Sequence, residues 1–135
     1  MSATLANDLP AARRTGNAAN VALWVLQVAA AAMLAMAGFA KLAGAPEMIA
    51  MFDVIGIGQW FRYATGSLEV LGAILLLVPA LAGVGALLLA GVMLGAVATH
   101  LFVIGGSPVM PLVLLAVTAL IAFARRERTL RLLGR

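Results

Sequence analysis

Between residues 63 and 124 the chain carries one formally charged side chain, Glu69, and one histidine, His100. A stretch of that length cannot keep its surface in water with so little charge, since about a quarter of an ordinary soluble chain is charged. The whole sequence agrees: 64% of its 135 residues are hydrophobic, 10% are charged, and the mean hydropathy is +1.12. That is more apolar surface than a soluble domain of this size can hide. The solvent for most of the chain is therefore hydrocarbon, and its length has room for about four spans of about 20 residues each.

Residues 21–40 hold no charge and only one polar side chain, Gln27. At about 1.5 Å per residue they cross a hydrocarbon core of about 30 Å, which makes them the first predicted span. Arg13 and Arg14, the apolar run and the small residues Ala35 and Ala37 also resemble a signal peptide, but the run exceeds the usual length of a signal core. Residues 64–81, 85–104 and 109–124 supply three more spans. Pro79 with Gly83 and Gly85 makes one break, and Gly105, Gly106, Ser107 and Pro108 make the next, all residue types that interrupt helices for backbone reasons. Connections this short join antiparallel neighbours. Residues 1–20 show no helical or strand period and read as a mobile tail.

Residues 41–62 form the one substantial loop, with Lys41, Glu47, Asp53 and Arg62 beside Phe52, Trp60 and Phe61. Pro46 followed by Glu47 is a helix start, Met48, Met51, Phe52 and Ile55 recur at i, i+3, i+4 and i+7, and Gly56 and Gly58 end the pattern. A short amphipathic helix lying in the interface fits, with Trp60, Phe61 and Tyr63 as an aromatic belt. The expected fold is thus an all-α integral membrane protein, an antiparallel four-helix transmembrane bundle with a short interfacial helix in its first outer loop.

Charge sets the orientation. Two arginines precede the first span and five follow the last, in residues 125–135, while the long loop has only Lys41 and Arg62. Both termini are then cytoplasmic, which demands an even number of spans, and hydropathy independently gives four. The net charge of +4 and isoelectric point near 11.2 come from that terminal cluster. Its place directly after an apolar run reads as an anchor on anionic headgroups, not as a nucleic-acid site. Arg125, Arg128, Arg131 and Arg135 recur at three and four residues, so this tail is expected to lie as a helix on the membrane surface. With no cysteine, thiol redox chemistry and cysteine-ligated metals are excluded, and one histidine with a few carboxylates gives too few ligands for a zinc or haem site.

In this topology three ionisable groups share a depth. Lys41 ends the first span, Glu69 lies about one turn into the second, and His100 about one turn before the end of the third, all within roughly 10 Å of the outer interface. Ionisable side chains in a span are costly and default to function. Two readings fit. Lys41 and Glu69 can clamp the bundle while His100 bonds a backbone carbonyl; or Glu69 and His100 can face an outward pocket as ligand-binding or acid/base groups, with Asp53 and Arg62 as candidate lid residues. Gly91 and Gly95 form a small-xxx-small pair expected to pack within the bundle. At about 100° per residue, Gly95 sits about 140° from His100, which places them on different surfaces. Trp24, Phe39 and Phe102 read as lipid-facing or core residues.

Three stretches resemble the DoxX-like family of small four-span bacterial membrane proteins: Ala37-Gly38-Phe39-Ala40-Lys41-Leu42, Gly66-Ser67-Leu68-Glu69-Val70-Leu71-Gly72 and Met93-Leu94-Gly95-Ala96-Val97-Ala98-Thr99-His100. The resemblance runs from about Trp24 to the end and maps the family's lysine, glutamate and histidine onto Lys41, Glu69 and His100. It implies kinship with subunits of a thiosulfate to quinone oxidoreductase and with accessory proteins of membrane redox or stress-response assemblies. Lacking the cysteines of thiol-linked quinone reductases, the chain is expected to be a non-catalytic or accessory inner-membrane protein that binds a membrane protein partner or a quinone-like or other lipophilic small molecule, or that associates as a homo-oligomer. The rival expectation is a membrane-embedded enzyme using Glu69 and His100 on a lipophilic substrate. A transporter is disfavoured by four short-looped spans without an internal repeat.

Overall fold

The computed structural model describes the backbone of residues 2–134 and the side chains of residues 16–134. Among these residues the chain is all helical. In order it forms α1 (Ser2–Ala43), α2 (Pro46–Ile55), α3 (Trp60–Leu76), α4 (Ala82–Thr99) continuing into a π-helical turn (His100–Ile104), α5 (Val109–Ala124) and α6 (Arg126–Leu132). Two helical stretches are long and apolar enough to cross a membrane, Gly16–Ala43 and Ala82–Ile104; α5 and α6, bent by 62° at their junction, make a third if taken as one span. With 17 residues α3 falls short of the roughly 20 that a perpendicular crossing needs.

Helix α1 packs on α3, α3 on α4 and α4 on α5, with a lighter contact closing α5 onto α1. The core between them is small-residue rich: Ala30, Ala31, Ala73 and Ala86 surround Leu34, Leu76, Leu89, Met93 and Ile121. Small side chains bring helix axes close, which is how helices associate where water supplies no hydrophobic drive. The outward faces are apolar too, with Val25, Met36, Phe39, Ile74, Leu94, Leu112 and Phe123 all exposed. An apolar exterior on this scale requires an apolar surrounding.

Several boundaries differ from expectation. Residues 1–20, predicted as a tail, join α1 from Ser2 onward; the alanines at 3, 6, 11, 12, 18 and 19 are the best helix formers available. The side chains of Asp8, Arg13 and Arg14, and all of Arg135, lie outside the described residues. Helix α3 stops at Leu76 rather than 81, and α4 starts at Ala82 rather than 85. Gly83 and Gly85 therefore belong to the first turn of α4, and their role is close packing: a Cβ on Gly85 would sit 2.8 Å from both Leu75 Cβ and Leu76 N, and one on Gly83 3.2 Å from the Arg125 carbonyl.

Helix α2 begins at Pro46 and ends where Gly56 adopts φ +84°, a left-handed cap that favours glycine and lets the Gly56 N–H donate to the Phe52 carbonyl. Its apolar face turns inward across the cleft between α3 and α4.

Candidate functional site

The positioning of the site starts with two glycines. Where α1 crosses α3, a Cβ on Gly38 would lie 2.8 Å from the Gly66 carbonyl, and a Cβ on Gly66 would lie 2.9 Å from the Gly38 carbonyl and 2.9 Å from Lys41 Cβ. No larger residue permits that approach. One turn beyond each glycine come Lys41 and Glu69, and at this separation Lys41 Nζ reaches Glu69 Oε1 at 3.0 Å and donates to Oε2 at 3.2 Å. The side chains keep only 15% and 3% of their surface exposed. Both carboxylate oxygens are engaged by one ammonium, which is the arrangement a buried charge pair needs.

Arg62 fixes the end of α1. It is buried, its Nη1 donates to the Lys41 carbonyl in the last turn of α1, and its guanidinium lies 4.3 Å from the centre of the Tyr63 ring. A cation at a helix C-terminus satisfies carbonyls with no partner in the helix and complements its dipole. Arg62 Nε donates to Gln59 Oε1 at 2.6 Å, and Gln59 Nε2 donates in turn to Asp53 Oδ1 at 2.8 Å and to the Ile49 carbonyl at 3.1 Å. A polar chain thus runs from α2 through Gln59 and Arg62 to the backbone of Lys41. Asp53 and Arg62 stand in this brace, outside the cavity lining.

Lys41, Glu69 and His100 all line one cavity of about 680 Å³ between α2, α3 and α4. Its walls are apolar: Met48, Met51, Phe52 and Ile55 of α2 close one side, and Leu87, Leu88 and Val92 of α4 the other. The four α2 residues are the periodic set seen in the sequence, so the amphipathic face of that helix covers the cavity. Thr65 Oγ1 donates to Phe61 O at 2.8 Å and Thr99 Oγ1 to Gly95 O at 2.7 Å, so neither hydroxyl proton is offered to the interior. His100 opens the π-turn, and its Nδ1 lies 2.9 Å from the Ala96 carbonyl. Among the described residues, no three histidine, cysteine, aspartate or glutamate side chains converge.

Gly91 and Gly95 correct an expectation. They line this cavity with His100, and a Cβ on either would meet nothing within 4 Å. The cavity takes in so wide an arc of α4 that the 140° between Gly95 and His100 falls within it. Both glycines are exposed, so they leave its wall low on the outer face of α4.

A second polar layer, unforeseen in the sequence, lies at the opposite end. Gln27, wholly buried, donates from Nε2 to the Leu76 carbonyl at 2.9 Å and accepts at Oε1 from Arg125 Nε at 2.8 Å. Arg125 Nη1 donates to Asn20 Oδ1 at 2.8 Å, and its guanidinium carbon lies 5.7 Å from the centre of the Trp24 ring. Expected on the headgroup-facing surface, Arg125 is instead 6% exposed, because the bend between α5 and α6 turns it inward onto α1. The sequence signal was the lone amide of an otherwise apolar helix.

A model of the DoxX-like family matches residues 25–123. The chain belongs to the DoxX-like family. The match spans α1 from within its apolar stretch through α5 and takes in Lys41, Glu69 and His100. No curated protein and no solved structure matches the chain. Family and apolar helices together make this a membrane protein.

Proposed function

We propose that this DoxX-like protein is an accessory, ligand-binding subunit of a membrane redox or stress-response assembly in the bacterial inner membrane. In this reading α1, α3, α4 and α5 are four antiparallel spans with both termini cytoplasmic, α2 lies at the outer interface as the cavity's cover, and Asp53 and Arg62 brace it. The observation that carries the proposal is the cavity of about 680 Å³: its apolar walls suit a lipophile, and Lys41, Glu69 and His100 are polar groups in its lining that can meet the head. Ligand pockets are built this way, mostly apolar with a few placed polar groups. The exposed glycines of α4 favour access from the bilayer.

The alternative, acid/base catalysis by Glu69 and His100, is favoured by their sharing one cavity. Against it, Lys41 engages both oxygens of Glu69, which suits a fixed charge pair better than a general base.

Native mass spectrometry of the protein extracted with its own lipids tests the proposal. A discrete lipophile retained by the wild type and lost in Gly95→Phe, whose ring would fill the cavity from a position with open space around it, is the expected result; a stoichiometric protein would identify the partner. A wild type that carries nothing beyond the bulk lipids also carried by Gly95→Phe would overturn the ligand-binding reading. Turnover of the retained lipophile that Glu69→Gln and His100→Ala abolish without unfolding would favour the enzyme.

A further inference from the structure

The hydrogen-bond inventory of the cavity goes further than its size. His100 Nδ1 sits 2.9 Å from the carbonyl of Ala96, and a carbonyl oxygen only accepts, so Nδ1 carries the proton. In the neutral imidazole Nε2 is then an acceptor with a free lone pair, and among the described residues the ring makes no other hydrogen bond. Every other polar side chain of the lining has at least one partner already. Lys41 donates to Glu69 Oε2 and pairs with Oε1, and Thr65 and Thr99 donate to their own helices, so each of these groups already has a partner. His100 Nε2 is the one side-chain nitrogen or oxygen of the lining with no partner among the described residues; spare lone pairs remain on the hydroxyl and carboxylate oxygens, as do the Lys41 N–H groups that Glu69 does not take.

A ligand bearing only a carbonyl could use Lys41 but would leave the His100 acceptor unpaired in an apolar wall. A hydroxyl both donates and accepts, and so suits either group. A cationic amine would meet the positive charge of Lys41 in the same cavity. We infer that the cavity selects a lipophile whose head is a hydroxyl, an alcohol or phenol, which donates its proton to His100 Nε2. The inference rests on the ligand-binding reading above and specifies its ligand.

The test uses two probes alike in size and lipophilicity, para-octylphenol and its methyl ether para-octylanisole, bound to the full-length protein in phosphatidylcholine nanodiscs and read by native mass spectrometry at matched lipid mole fractions. The wild type is expected to bind the phenol about fivefold to tenfold more tightly, the worth of one hydrogen bond of about 1 kcal/mol. In His100→Leu the preference should vanish while para-octylanisole binds as before. A second reading needs no variant: with ¹⁵N-histidine label, the Nε2 resonance should shift on adding the phenol and stay put with the ether. Equal binding of the two probes by the wild type, a preference that survives in His100→Leu, or an unmoved Nε2 resonance would each overturn the hydroxyl assignment with the cavity reading intact. Failure of both probes to occupy the wild type would overturn the cavity reading itself.

Discussion

The two polar layers of this protein solve one problem in different ways. At the α1–α3 crossing a cation meets an anion: Lys41 and Glu69 are 3.0 Å apart, and the pair borders an open cavity. At the other end Arg125 is held by neutral groups, the amide oxygens of Gln27 and Asn20 and the face of Trp24, and its Nη2 has no partner among the described residues. The Lys41–Glu69 pair satisfies its own charges and borders open space, whereas Arg125 is enclosed by the groups that hold it and is only 6% exposed. The first layer is suited to meeting a ligand. The second joins α1, the end of α3 and the elbow between α5 and α6 into one rigid base.

The charge pair should give the largest loss. Glu69→Leu alone strands the Lys41 ammonium, and removing one member of a buried pair costs about 3–5 kcal/mol. Adding Lys41→Met removes the stranded charge, so the double variant should recover most of that loss. Unfolding in detergent, monitored by circular dichroism, checks both. A single variant as stable as the double would mean that the pair is no more than a surface contact.

The Gln27 layer should give a smaller loss. Gln27→Leu keeps the volume but deprives Arg125 Nε of its acceptor, and an orphaned buried donor costs about 2 kcal/mol, more where it is charged. Because Arg125 keeps Asn20 and Trp24, the effect should stay below that of Glu69→Leu. A larger loss from Gln27→Leu would reverse the ranking of the two ends.

That ranking could not be drawn from sequence, and the reasons are physical. Lys41, Glu69 and His100 stand out in the sequence because ionisable residues in an apolar run are scarce, and all three line one cavity. Gln27 was visible as the one polar residue of its span, yet a neutral amide carries no charge to announce a partner 98 positions away. Arg125 reads as one more terminal arginine until the 62° bend is known. Helix α2 was legible from Pro46, the i, i+3, i+4, i+7 pattern and Gly56; what its apolar face would cover was not, since amphipathicity names a face and never the surface opposite.

The glycines show the same limit and give the smallest, most discriminating effect. Helical phase says which way Gly66 and Gly95 point but not whether a neighbour stands there. Gly66 abuts the Gly38 backbone, whereas Gly95 opens on the cavity. In both places alanine adds about 1 kcal/mol of helix propensity. At Gly66 the new methyl would sit 2.9 Å from a carbonyl and force α1 and α3 apart; overpacking of this kind costs about 1–3 kcal/mol and outweighs the gain. Gly66→Ala should therefore destabilise by about 1 kcal/mol and loosen the Lys41–Glu69 contact, and Gly95→Ala should stabilise by up to about 1 kcal/mol. Parallel denaturation of the two variants reads the sign directly. If Gly95→Ala instead destabilises, a neighbour occupies the space beside α4, and the low wall of the cavity is a packed interface.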